Sequence, residues 1–360
     1  MSGGIAKDAG AVEAAIPNYD WRKLRATTEA IFVAIGSSAR EAGLIAAHLV
    51  EASLTGHDSH GVGLIPGYVE SARRGDLVLN QELRIFRDTG AICICDAGRG
   101  AGQVMAHDAM VLGIERAKAS GSCVVGLRDS YHIGRIGHWA EQCAAAGLVS
   151  IHFVNVIAEP MVAPFGGTAR RLGTNPFAAG FPRGDGGPPV VVDFATSVLA
   201  LGKVRVANNK GVPVPDGALM DAHGRPTTDP SVMFAQPMGA LLPFGKHKGS
   251  ALALACELMG AAVFGATVLT GPPERSAILN SMFSVLVDPA ALGLGPDYAA
   301  RQADVAAWFA SEPGVSLPGD PERETRVERK ANGIPIDETT MSHILATAEA
   351  AGIGKPDLSM

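Results

Sequence analysis

Two histidines with an acid and a hydroxyl between them, His57-Asp58-Ser59-His60, closed by Gly61, are the first residues of this chain that could do chemistry. Two more stand in glycine-bounded loops: His132 in Ser130-Tyr-His-Ile-Gly134, and His247 in Phe244-Gly-Lys-His-Lys-Gly249. An imidazole titrates near neutral pH and can give or take a proton there, so loops of this kind converging on one cleft would make an acid–base site. His57, Asp58 and His60 are also metal-ligand types. A metal-dependent hydrolase or lyase, with His132 or His247 completing the site, is therefore the alternative, although the spacing matches no familiar ligand motif. Asp193 ends the apolar run Val190-Val-Val-Asp193. A carboxylate there needs a partner to offset desolvation. It either caps a helix entered through Phe194-Ala-Thr-Ser197 or holds a histidine tautomer through one ring nitrogen.

Other chemistries lack their signatures. Gly98, Gly100 and Gly102 follow a strand and open a helix. They do not make G-x-G-x-x-G, and no acidic residue ends a second strand about twenty residues on, so this segment reads as a turn. No P-loop, G-x-S-x-G or H-E-x-x-H occurs. The five cysteines, Cys93, Cys95, Cys123, Cys143 and Cys256, are odd in number and form no C-x-x-C; they read as small buried hydrophobes in a reducing cytoplasm. With 30 basic against 36 acidic residues and no basic run, the chain is not expected to bind nucleic acid or an anionic membrane. The N-terminus shows no secretory pattern. The longest apolar stretch, 250–270, carries Glu257 and several glycines, and reads as a buried core helix rather than a membrane span.

The elements that must position these residues follow from periodicity. A helix is expected from Ser38, where Ser38 and Glu41 have capping-box spacing, through Ile45, Leu49 and Ala52 to Gly56. A second carries Leu64, Ile65, Tyr68, Val69 and Ala72 and ends at Gly75, so two helices frame the His57–Gly61 loop. Strands are expected at 84–88 and 91–96, a helix at 103–119, a strand at 123–127, a helix at 136–146, then strands at 148–155, 177–181, 190–194 and 282–288. After Lys203 the chain reads as loop-rich up to the apolar stretch. Helices at 322–332 and 338–351 close it, the last with Met341, Ile344, Leu345 and Ala348 on one face. The alternation predicts an α/β or α+β class.

Taken in order, His57-Asp-Ser-His-Gly-Val62, Ser130-Tyr-His-Ile-Gly134, Gly173-Thr-Asn-Pro176, Asp193-Phe-Ala-Thr-Ser197, His247-Lys-Gly249 and Leu317-Pro-Gly319 resemble the type-2 malate/L-lactate dehydrogenase family over about residues 20–355. Ile133-Gly-Arg-Ile-Gly137, Trp139-Ala-Glu-Gln-Cys143 and Lys210-Gly-Val-Pro-Val-Pro215 point to its hydroxycarboxylate dehydrogenase branch. The resemblance implies a cytoplasmic NAD- or NADP-dependent oxidoreductase of 2-oxo and 2-hydroxy acids that forms a homodimer and takes a small-molecule substrate. It implies a non-Rossmann α/β fold, with a central, largely antiparallel sheet domain for the cofactor flanked by helices from both termini. On that basis 1–17 is a loose tail, 18–82 a helical domain completed by 321–360, and 83–320 the cofactor- and substrate-binding α/β domain. By motif position His60 matches the proton donor, and Ser59 and Asp193 its charge-relay partners, with His132 a second acid or a substrate anchor. His132, Gly134, Arg135, Ile136, Asp193, Ala195, Thr196, Ser197, His247, Lys248, Pro318, Gly319 and Asp320 match cofactor-binding positions. There are two departures. Gly63 stands where many relatives carry an arginine, leaving Arg135, Lys203, Arg205, Lys246 and Lys248 as candidate cations for a substrate carboxylate and leaving room for larger side chains. Asp320 stands where the Pro-Gly motif usually continues with Glu.

Overall fold

The computed structural model describes residues 16–273, 277–293 and 295–360. The N-terminal part holds a short strand β1 (Asn18–Tyr19) and helices α1 (Trp21–Ala34), α2 (Ala39–Leu54) and α3 (Ile65–Arg73). Helix α1 was not read from the sequence, although Asp20 caps it by accepting the Arg22 and Lys23 N–H groups at 2.8 and 2.9 Å. Ser38 caps α2 through the Glu41 N–H, as expected. Glu41 does not complete the box: its side chain is buried and accepts from Ser37 Oγ and the Asn80 N–H instead.

The sheet region follows: β2 (Arg84–Asp88), β3 (Ile92–Asp96), α4 (Gly102–Ser120), β4 (Ser122–Tyr131), α5 (Gly137–Ala145), β5 (Val149–Ile157), β6 (Phe177–Phe181) and β7 (Val190–Phe194). Helix α6 (Leu201–Lys210) occupies a segment expected to be loop. After it come three two-residue strands, β8 (Leu219–Met220), β9 (Pro226–Thr227) and β10 (Ala240–Leu241), and then α7 (His247–Gly260), β11 (Leu279–Val287) and α8 (Gly295–Ala310). The chain closes with α9 (Asp320–Asn332), β12 (Ile334–Pro335) and α10 (Glu338–Ala350).

The central sheet has the order β2-β3-β4-β11-β5-β6-β7, with β3–β4 parallel and every other pairing antiparallel. This is an α/β fold on a mixed, largely antiparallel sheet, distinct from the parallel doubly wound arrangement. Apolar residues alternating along β4, β5 and β11 meet α4 and α5 on one face; Trp139, Met105, Met110, Leu127 and Leu286 are fully buried there. The two ends of the chain meet. β1 pairs antiparallel with β12, Pro17 O accepts the Ile336 N–H, and Ile344 and Ala348 of α10 join the core formed with Ile45, Leu49 and Tyr68. Most of the expected N-terminal tail, residues 1–15, lies outside the described residues.

The apolar stretch 250–270 is a helix only to Gly260. It is buried along one side, through Ala253, Cys256 and Glu257, whereas Leu254 and Leu258 are about half exposed. Its carboxylate is satisfied: Glu257 accepts from the Leu269 N–H at 2.7 Å and from Asn175 Nδ2 at 3.0 Å. Helix α8, unread in the sequence, presents Val305, Trp308 and Phe309 outward.

Candidate active site

The turn carrying His60 is shaped by contacts to both ends of the chain. Asp58–His60 forms a single 3₁₀ turn after α2. Gly61 fits against α2 only because it has no side chain: an added Cβ would lie 2.0 Å from Ser53 Oγ, the atom that accepts the Val62 N–H. From α9, Arg329 donates to both carboxylate oxygens of Asp58, at 2.6 and 3.1 Å, and Glu322 lies 3.3 Å from His57 Nε2. From α6, Gly202 packs against Ser59; a Cβ there would come within 2.7 Å of Ser59 Cβ.

These contacts leave His60 facing His132. The rings stack at 5.3 Å and 13°, with His60 Nδ1 3.3 Å from His132 Nε2. His132 Nδ1 is 2.5 Å from the Tyr68 hydroxyl on α3, and Gln103 Nε2 on α4 donates to that hydroxyl at 2.9 Å. Tyr68, Gln103 and His132 are buried; His60 remains partly open to solvent. Burial, with the neighbouring His132, His57 and Arg135, pushes the His60 imidazole down to about 3, and burial takes His132 to about 4, so both are neutral at pH 7. A proton donor at His60 therefore needs an incoming negative charge to become imidazolium.

The sequence pattern marks Tyr68 and Gln103 only as helix positions. The glycines before Gln103 explain why they matter. An added Cβ at Gly102 would sit 2.2 Å from the His132 carbonyl oxygen and 2.5 Å from that of Tyr131. The segment that failed as a dinucleotide fingerprint is thus a close crossing that seats the His132 backbone. Only the tertiary contact reveals this role.

Asp193 is placed differently from either sequence reading. No helix starts at 194–197, since α6 begins at Leu201. The carboxylate reaches across from β7 and accepts the Gly137 N–H at 2.8 Å, capping α5 instead of a helix of its own. It also lies 3.5 Å from Arg135 Nε. Burial raises its pKa, an effect opposed chiefly by the Arg135 guanidinium. Arg135 itself is 2% exposed, shared between Asp193 and Glu141. Burial works against its charge, but the two carboxylates outweigh it. As a cation for a substrate or cofactor, Arg135 is already engaged.

The remaining expected positions fall into two groups. Thr196 Oγ1 and Ser197 Oγ are spent internally, on Thr174 O and Leu199 O. Gly134 and Ile136 line the turn into α5, and Ala195 follows β7. Asp320 is also turned inward, accepting the Leu317 N–H and pairing with Arg323, while Pro318 O accepts the Val191 N–H beside β7. By contrast Lys246, His247 and Lys248 are exposed at the start of α7, which no side chain caps. Gly63 faces α10 rather than an open cavity: a Cβ there would lie 3.4 Å from Thr340 Cγ2.

The metal-centred alternative requires His57, Asp58 and His60 to converge. They point to three different partners, Glu322, Arg329 and His132, and among the described residues no three His, Cys, Asp or Glu side chains are grouped to hold an ion.

The fold is a non-Rossmann α/β one, and its partly exposed His60 stands at the end of a buried chain of hydrogen-bonding side chains. The malate/L-lactate dehydrogenase family matches residues 19–345, and the chain belongs to that family. It is similar to hydroxycarboxylate dehydrogenase B of Escherichia coli (47% identity; 94% of this chain and 96% of that one) and to L-lactate dehydrogenase of Cupriavidus necator (41%; 87% and 91%). The solved structure of sulfolactate dehydrogenase from Methanocaldococcus jannaschii superposes with a TM-score of 0.84 at 30% identity, over 95% of this chain and 99% of that one.

Proposed function

We propose that this chain is a nicotinamide-dependent oxidoreductase that interconverts 2-oxo and 2-hydroxy acids, with His60 as the proton donor in reduction. The observation that carries the reading is the stacked His60–His132 pair, buried behind and open at His60. The names of the relatives, dehydrogenases of hydroxycarboxylates, lactate and sulfolactate, supply the substrate class.

When bound, NAD or NADP supplies or accepts the hydride. The chain's donor set fits such a dinucleotide at the start of α7, where exposed Lys246 and Lys248 and an uncapped helix end suit a pyrophosphate. Pro318, Gly319 and the 193–197 segment would shape its far wall. The Thr196 and Ser197 hydroxyls are already used, so those side chains would act by contour rather than by hydrogen bonds.

The protein's own part is proton delivery. A 2-oxo acid brings a carboxylate, and an anion beside His60 favours the imidazolium. His60 then gives its proton to the substrate oxygen as that oxygen becomes a hydroxyl. Asp193 and Ser59 support His60 indirectly, Asp193 by fixing Arg135 and the start of α5, and Ser59 by seating the turn against α6. Lys203 follows Gly202, the α6 residue that packs against Ser59, and is a candidate cation for the substrate carboxylate. The half-exposed Leu254 and Leu258 of α7 are where a second copy would sit in a homodimer. The five free, buried cysteines suit a cytoplasmic enzyme. The test is His60→Asn: kcat for reduction of pyruvate-like acids should fall at least about a hundredfold with the fold intact. Near-normal turnover removes His60 from the role.

A further inference from the structure

We propose that Gln103 is a positioning residue that, through Tyr68, sets the direction of the hydrogen bonds in the His60–His132 pair, serving the neutral pair with its amide N–H and the protonated pair with its carbonyl. The proposal rests on the reading of His60 as proton donor.

The donor count on this chain fixes its direction. Gln103 Nε2 donates to the Tyr68 hydroxyl, and of the two acceptors within reach of the hydroxyl hydrogen, His132 Nδ1 at 2.5 Å is much closer than His132 O at 3.5 Å, so the hydrogen goes to Nδ1. His132 then carries its own hydrogen on Nε2, facing His60 Nδ1. His60 Nδ1 accepts, and the one hydrogen of neutral His60 sits on Nε2, away from His132. The opposite amide orientation would leave both amide N–H donors without partners, instead of one N–H and the carbonyl, and would give the Tyr68 hydroxyl an acceptor in place of a donor.

When the pair takes up a proton, the order must reverse. His60 then has hydrogens on both nitrogens and donates from Nδ1, His132 accepts at Nε2 and donates from Nδ1, and the Tyr68 hydroxyl must point elsewhere. Gln103 Oε1, fully buried and without a partner, is the acceptor in reserve; turning the amide over brings it to Tyr68. An amide carries both a donor and an acceptor, so the same side chain can serve both states. The other groups facing the pair are His57 on the same turn, His48 on α2, Arg135, and Tyr131 against Tyr68. Arg135 is held by Glu141 and Asp193, His57 lies against Glu322, and Tyr131 donates to Ser71, so these three have partners other than Tyr68.

The test uses the full chain. Gln103→Met should lower kcat for 2-oxo acid reduction at least about tenfold, with the cofactor KM unchanged. Tyr68→Phe should do the same, and the double variant should fall no further than about twofold below either single one. Gln103→Glu, which offers acceptors when ionised, should move the pH limb of reduction upward by at least about one unit. Full additivity, a kcat within twofold of wild type in Gln103→Met, or an unmoved pH limb in Gln103→Glu would overturn the proposal. A readout free of activity and of substitution is the nitrogen NMR spectrum of histidine-labelled wild-type chain at pH 8. His60 and His132 should both carry hydrogen on Nε2, and hydrogen on Nδ1 of either overturns the assignment. If His60→Asn is inactive while the Gln103 series is silent, the relay is wrong and His60 stands. If His60→Asn is active, the reading of the site is wrong whatever the tautomers.

Discussion

Because His60 is held near a pKa of 3 in the free protein, binding of a non-reducible 2-oxo acid analogue must draw a proton from solvent. Oxamate, planar and anionic, is a suitable probe in the presence of reduced cofactor. A carboxylate about 4 Å from the ring, at an effective dielectric near 20, is worth about 4 kcal/mol. Each ~1.4 kcal/mol is tenfold, so the acidity of the imidazolium falls by about a thousandfold and His60 titrates near 6 in the complex. The sign follows directly. Above pH 6 both states are neutral and binding is proton-independent; as pH falls towards 6 the complex is protonated while the free protein is not, and affinity rises. Calorimetric titration in two buffers of different ionisation enthalpy should therefore give an uptake of about half a proton at pH 6 and almost none at pH 8, with Kd falling about twofold between them. His60→Asn should abolish the pH-6 uptake. An uptake below about a tenth of a proton in the wild type, or an equal uptake in His60→Asn, would refute the argument that ligand charge makes His60 an acid.

Two further outcomes follow from the supporting contacts. Asp193→Asn keeps an acceptor for the Gly137 N–H but removes half of the charge that balances buried Arg135. Stability should fall by about 1–3 kcal/mol, less than for an unpaired buried charge because Glu141 remains, and thermal unfolding should show it. A large loss of kcat at unchanged melting temperature would instead place Asp193 in direct contact with the chemistry. Gly102→Ala puts a methyl 2.2 Å from the His132 carbonyl oxygen, where backbone must move. Reduction should fall at least about tenfold, and a kcat within twofold of wild type would show that the His132 loop tolerates displacement.

How much of this was legible in the sequence depended on the range of each cause. Strands β4, β5, β7 and β11 and helices α4 and α10 were readable because their burial is periodic and local. Helix α6 was missed because Leu201–Lys210 is polar, with only Val204 buried, so no apolar stripe marks it. Helix α1 was missed despite the legible cap at Asp20. For the site, the motifs found His60 and His132 but could not pair them. Asp193 shows the limit most clearly: local reasoning assigned its cap to the residues that follow it, whereas the N–H it satisfies is on Gly137, some fifty-six positions earlier. The same holds for Gly102, whose reason for lacking a side chain lies on another element.

The arrangement around the 57–60 turn also explains why His60 is poised rather than permanently charged. Two of its immediate neighbours carry or attract charge, Asp58 and His57, and both are drawn off by α9, through Arg329 and Glu322. Arg135, whose charge disfavours an imidazolium at His60, is itself held by two carboxylates. What remains in direct contact with His60 is His132, neutral and hydrogen-bonded to a neutral tyrosine. In such surroundings no fixed negative charge stabilises an imidazolium, and the largest change in the local field is the one a ligand brings. An acid fixed in its charged form by a protein carboxylate would hold its proton whether or not substrate was present. Here helix α9 removes that possibility by binding Asp58, so on the proposed reading of His60 the proton is acquired with the ligand, next to the oxygen that needs it.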